Sequence, residues 1–127
     1  MKKAVVTFHT KDKKHPILHC ELVSTLMEKQ QGLMYREKIG NDQGMLFSFS
    51  FPGPHMVHMM NVKFPLDIIF ISNKKRIKKI VQAEIRTLKR IPSLYCGTGK
   101  YVIECNQGFC HKNSIKSGDT VEIITQV

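Results

Sequence analysis

Three residues of this chain could build a polar site against an apolar background: Arg36, Asn61 and Asp67. Asp67 interrupts the run Leu66-Asp67-Ile68-Ile69-Phe70-Ile71, whose other members are all large and apolar. A carboxylate is rarely buried without a partner, because removing it from water uncompensated is costly. Arg36 can offer such a carboxylate two parallel donors. Asn61, on the other side of Pro65, can both donate and accept. Together they predict a polar-lined cleft in an apolar mouth, the usual construction of a site for a small ligand or peptide. The competing expectation is a structural polar cluster that pins a crossing between strands.

Other groupings point to other chemistry. Asp67 with Glu104 or Asp119 would give a carboxylate pair for general acid–base work, which leaves open an enzyme of unassigned reaction acting on carbohydrate. Asp119, in Ser117-Gly118-Asp119, equally suits a turn acceptor. If Met56 to Met60 is a strand, Met56, His58 and Met60 share one face. Thioether and imidazole suit Cu(I), but methionines also fill irregular core gaps, and no metal is expected. Cys105, Cys110 and His111 lack zinc-knuckle spacing. Cys105 reads as core, and Cys110 as a candidate reactive thiol beside a helix start. The chain contains no glycine-rich phosphate loop, nucleophile elbow or dinucleotide fingerprint, so no cofactor is expected.

The charge balance adds a second class of function. The formal net charge is +10, and the segment from Lys74 to Arg90 carries eight basic residues against one acid, Glu84. Lys74, Lys75, Arg76, Lys78 and Lys79 form its dense part. Such a cluster attracts nucleic acid without sequence preference. No aromatic is interleaved in it for base stacking, so a solvated strand face is the plainer expectation. The alternative to a ligand-binding module is therefore a nucleic-acid accessory protein. Oligomeric state is left open.

These groups need a scaffold. A chain of 127 residues with 42% hydrophobic and 24% charged residues suits one globular domain, spanning 1–127. No apolar run reaches the roughly 20 residues of a membrane span, so no membrane partner is expected. The N-terminus lacks the apolar region and cleavage site of a signal peptide, and the four cysteines include no Cys-x-x-Cys. Both predict free thiols and a cytoplasmic protein.

Strands are predicted at Ala4–Phe8 and Ile17–Val23, as a hairpin, then at 45–49, 56–60, 66–71, 76–83, 101–105 and 120–125. A helix starts at Thr25, where Glu28 completes a capping box. Leu26, Met27, Gln30, Leu33 and Met34 follow near helical spacing, with Gly32 marking close packing or an early end. Phe51-Pro52-Gly53-Pro54 predicts a loop, Ile91-Pro92-Ser93 a break and Cys96-Gly97-Thr98-Gly99 a turn. A short helix between Asn106 and Ser114 would take Asn106 as its cap. The sum is an α+β, mainly β fold: a small curled sheet or barrel-like domain with one or two short helices.

Taken in order, several motifs resemble one family. They are Gly32-Leu33-Met34-Tyr35-Arg36, Gly44-Met45-Leu46-Phe47, Met59 and Asn61 with Pro65-Leu66-Asp67-Ile68 and Phe70-Ile71, and Tyr101-Val102-Ile103-Glu104 followed by Gly108 and Gly118-Asp119. They are similar to the prokaryotic domain-of-unknown-function family numbered 192, over roughly residues 17 to 125. The resemblance implies a small β-rich, barrel-like domain with minor helices and brings no agreed activity with it. Members usually carry tryptophan where this chain has His58, and lysine or arginine near Met60. Any ligand contact made by that aromatic or that cation is not carried over.

Overall fold

The computed structural model describes residues 2–85 and 94–126, with backbone alone at 26, 27 and 30. Seven strands form one sheet: β1 Lys3–His9, β2 Ile17–Val23, β3 Gln43–His58, β4 Leu66–Ile71, β5 Ile77–Ala83, β6 Leu94–Asn106 and β7 Thr120–Gln126. Two short helices, α1 Leu26–Gln31 and α2 Phe109–Lys112, complete the fold. The strand order is β5-β4-β6-β3-β2-β1-β7. All neighbouring pairs are antiparallel except β2 and β3, which run parallel with α1 in the connection between them.

The sheet curls into a half-barrel. Its two edge strands approach at one end, where Arg76 bridges Thr120 and the Ile77 amide donates to the Asp119 carbonyl at 2.8 Å. Period-two alternation then sorts the side chains onto two faces. One face packs Val6, Phe8, Leu18, Leu46, Ile69, Ile71 and Ile103 under Phe109 of α2. The other packs Met45, Phe47, Leu66, Ile68, Phe70 and Val102 against Leu33, Met59 and Val62. Every residue of β4 is buried because both of its faces are covered.

The expected small, mainly β domain, a curled sheet with one or two short helices, is what the structure has, in the form of a half-barrel. Three local expectations are corrected. The segment 51–54 is not a loop, because β3 continues through it with a register shift between Ser48 and Gly53. Beyond that shift β3 pairs, among the described residues, with β6 alone, since β2 covers only Gln43 to Phe47. One edge of β3 is therefore open there, and a strand edge tolerates prolines that a central position would not. The segment 96–99 is not a turn but the middle of β6. Its glycines give room: a Cβ on Gly97 would meet the Phe70 ring at 2.5 Å, and one on Gly99 the Ile71 carbonyl oxygen at 2.5 Å. The second helix is capped by Gly108, at φ 99°, rather than by Asn106. Asn106 ends β6 and donates to the Ile39 carbonyl at 3.0 Å.

Strand β3 also ends at His58, so Met60 lies beyond it and does not continue the face of Met56 and His58. The Met60 amide instead turns back to the His58 ring, donating to Nδ1 at 3.1 Å. Only Met59 of this group is fully buried. The break expected at 91–93 lies outside the described residues, as do the side chains of Leu26, Met27 and Gln30. No helix among the described residues is long and apolar enough to cross a membrane.

Candidate functional site

On β6 the alternation places Val102 and Glu104 on one face, and Ile103 and Cys105 on the other. Glu104 thereby joins the floor of a cleft of about 400 Å³ between β3, β6 and the end of α1. Leu33, Phe47, Phe49, Val57, Val62 and Val102 form its apolar walls. The Glu104 side chain is 6% exposed. Burial pushes its carboxyl up to about 7, because desolvation disfavours the charged form.

Three groups that could carry positive charge line the same cleft, and each is engaged elsewhere. The Lys29 ammonium sits over the Phe49 ring, 4.2 Å from its centroid. Phe49 stacks on the His55 ring at 3.8 Å, and His55 Nε2 is 2.7 Å from the Gly99 carbonyl oxygen. His58 accepts the Met60 amide.

Local sequence rules build the α1 wall. Thr25 Oγ1 accepts from the Glu28 amide at 3.2 Å, and the Glu28 carboxylate accepts from the Thr25 amide at 3.3 Å, so the expected capping box is present. The helix stops at Gly32, with φ 49° and ψ −129°, a conformation for which glycine is strongly favoured. A Cβ there would stand 3.4 Å from the Phe47 ring and 3.8 Å from Glu104 Oε1. Glycine thus keeps the corner between Phe47 and Glu104 open.

The model of DUF192, a family described as uncharacterized ACR, matches residues 6–123. The chain belongs to the DUF192 family. It is also similar to two solved structures. One is a candidate transcription regulator from Sinorhizobium meliloti 1021, at 31% identity and a TM-score of 0.86, covering 94% of this chain and 92% of that one. The other is a protein of unknown function from Novosphingobium aromaticivorans DSM 12444, at 32% identity and a TM-score of 0.81, covering 93% and 83%. No curated protein matches the chain.

In this DUF192 chain the three residues singled out from the sequence have separate partners. Arg36 forms a two-pronged pair with Glu21, with Nη2 to Oε1 at 3.0 Å, and this pair lines a different cavity beside β1 and β2. The Arg36 hydrogen bond holds the Glu21 carboxyl below the usual carboxylate range. Asn61 is exposed in a left-handed conformation at φ 59°, which asparagine tolerates better than most residues. Its Nδ2 donates to the Tyr35 hydroxyl at 3.1 Å, and its carbonyl accepts the Tyr35 amide at 2.8 Å. Asp67 is 1% exposed. Its Oδ2 accepts the Cys110 amide at 3.0 Å, and its Oδ1 has no hydrogen-bond partner among the described residues. The expected pairing of Arg36 with Asp67 is therefore corrected: Asn61 is held against the Tyr35-Arg36 segment, whereas Asp67 is bonded to α2.

Neither carboxylate pair forms: Asp67 stands across from Gln82 in β5, whereas the Asp119 carbonyl accepts the amide of Ile77 at the other end of that strand. Asp67 shares the face of Ile69 and Ile71, whereas Glu104 lies on the face of Val102, so the sheet separates them. Asp119 accepts the Lys116 amide at 2.9 Å, the turn role its sequence context suggested. Cys110 is buried, which removes the access a reactive thiol needs. The nearby Cys110 thiol, then burial, raise Cys105 well above the usual thiol range, and burial pushes Cys20 up to about 12.

The basic residues are tied into the sheet. Lys78 donates to Thr98 Oγ1 at 2.5 Å, Lys79 to the Cys96 carbonyl at 2.7 Å, and Arg76 to the Gly118 carbonyl at 2.7 Å. Lys74 is exposed. Lys75 and Lys100 lie 6.0 and 5.2 Å from the Tyr101 ring centroid. Arg86, Lys89 and Arg90 lie outside the described residues.

Sequence reasoning weighed Glu104 only as a partner for Asp67. The available signal was its period-two position two residues after Val102, which directs an acid into a core-facing row.

Proposed function

We propose that this chain is a non-catalytic binding module whose site is the Glu104 cleft, for a small molecule or a peptide side chain. One observation carries the reading. A desolvated carboxyl lies on the floor of an apolar cleft while the neighbouring Lys29, His55 and His58 are engaged with other partners. Apolar walls with a few placed polar groups are the ordinary make-up of a ligand site, and strongly shifted carboxyls gather at functional sites. The four cysteines are free, which fits a cytoplasmic setting. A fragment library followed by amide NMR tests the reading. Hits should shift Gly32, Leu33, Val57, Val102 and Glu104 together. Hits that gather at the Arg36 and Glu21 cavity instead would move the site.

Tyr101 supports a second reading. Its ring lies beside Lys75 and Lys100, supplying the aromatic that the basic sequence run lacks, and one similar solved structure is a candidate transcription regulator. A nucleic-acid-binding face around Lys74, Lys75, Arg76, Lys78, Lys79 and Lys100 would bind short RNA or DNA at low salt and lose it steeply as salt rises. No gel shift at low salt would remove this reading.

A further inference from the structure

We propose that the Glu104 cleft takes small apolar amines, with the ammonium paired to the Glu104 carboxylate and the hydrocarbon body against Leu33, Phe47, Val57, Val62 and Val102. This rests on the reading of the cleft as the binding site and names the chemistry it selects. A buried carboxylate needs a cation or strong donors beside it. Lys29 lines the same cleft, but its ammonium is over Phe49, and desolvation is the one cause that raises Glu104. His55 and His58 face the cleft with one ring nitrogen each bonded, to Gly99 and Met60, and neither forms an ion pair with Glu104. Among the described residues no cation pairs with Glu104, so the counter-charge is left to a ligand.

The surroundings favour an ammonium over a neutral donor. Glu104 Oε1 and the Phe47 ring converge on the corner that Gly32 leaves open. An ammonium seated there can donate a charge-assisted hydrogen bond to the carboxylate, with ring carbons of Phe47 packed beside it. A volume of about 400 Å³ lies at the small end of ligand pockets and suits a body on the order of a dozen non-hydrogen atoms. Binding in this mode takes Glu104 in its ionised form, so a complex formed near neutral pH releases part of a proton.

The test uses the intact protein and two probes of one shape, 2-phenylethylamine and 2-phenylethanol, followed by amide NMR. At about pH 8 the amine should shift Gly32, Leu33, Val57 and Val102, with an affinity at least about tenfold above that of the alcohol. Lowering the pH to about 5.5 should weaken the amine about thirtyfold, or down to the level of the alcohol, as Glu104 takes up its proton. Lys29, His55 and His58 also face the cleft, so Glu104→Gln is run in parallel. It retains all three, and any pH dependence that survives in it belongs to them. In Glu104→Gln the amine should fall to the level of the alcohol. Equal binding of both probes in the cleft would overturn the amine assignment and leave the cleft as the binding site. No cleft shift with either probe would overturn both. If the variant does not fold, the ratio of amine to alcohol affinity at about pH 8 on the unaltered protein decides the question, and a ratio near one overturns the assignment.

Discussion

Asp67 and Glu104 lie on hydrogen-bonded strands one register step apart, yet their side chains leave the sheet on opposite faces. Asp67 stands across from Cys105, and Glu104 across from Ile68. The two acids therefore do different work. Asp67 receives the Cys110 amide of α2, which anchors the short helix to the sheet. Glu104 faces a cleft and has no such anchor among the described residues. A sheet one residue thick is enough to divide a structural carboxyl from a candidate ligand carboxyl.

The anchoring role of Asp67 predicts a loss of stability with no change in the cleft. Asp67→Ala leaves a buried amide unpaired and should cost about 1–3 kcal/mol in urea unfolding. Faster hydrogen exchange should be confined to α2. Asp67→Asn keeps an acceptor for that amide and should cost less. Ligands that shift the Glu104 cleft should bind both variants as they bind the parent. A changed affinity would return Asp67 to the site.

Arg36 should matter modestly and only above acidic pH. Its side chain and that of Glu21 are 35% and 29% exposed, so Arg36→Ala should cost no more than about 1 kcal/mol. The pair depresses the Glu21 carboxyl below its unfolded value of 4.5. Its contribution is thus present above that value and lost as pH falls through the folded one. Thermal melts of parent and variant should differ at neutral pH and converge in acid.

The close approach of β6 to β4 predicts a contrast between two glycines. Gly99→Ala drives a Cβ against the Ile71 backbone, which cannot yield without disturbing the β4–β6 ladder, and should cost about 1–3 kcal/mol. Gly53→Ala meets nothing within 4 Å and should stay within about 0.5 kcal/mol of the parent. Equal melting temperatures for the two would contradict this packing.

Much of the fold was legible because its signals are local. Alternation and β-branched residues mark β1, β2 and β4, and Thr25 with Glu28 marks α1. The errors at 51–54 and 96–99 share one cause. Proline and glycine are ordinarily turn residues, whereas here Pro54 stands where β3 has an open edge among the described residues and Gly97 makes room for the Phe70 ring. Both reasons depend on strand neighbours distant in sequence. The site was misjudged for a related reason. Asp67 stands out against its apolar neighbours, but its partner, the Cys110 amide, lies 43 residues on and is a backbone group. Glu104 is less conspicuous in Tyr101-Val102-Ile103-Glu104-Cys105, and only the curl of the sheet turns its row toward a cleft.

Glu104 also sets a pH dependence of stability. Its carboxyl rises from 4.5 unfolded to about 7 folded, so the folded protein binds that proton more tightly than the unfolded chain does. The stabilisation is full below 4.5 and is lost as pH rises through about 7, a change of about 3 kcal/mol at most. Glu104→Gln should remove this slope and exceed the parent in stability in mild alkali, as read from urea midpoints at several pH values.

The most direct measurement is a carbon-detected NMR titration of the Glu104 carboxyl in the free protein. A desolvated acid on the floor of an apolar cleft predicts a midpoint of about 7. A midpoint near 4.5, the value of an ordinary solvated glutamate, would contradict the account.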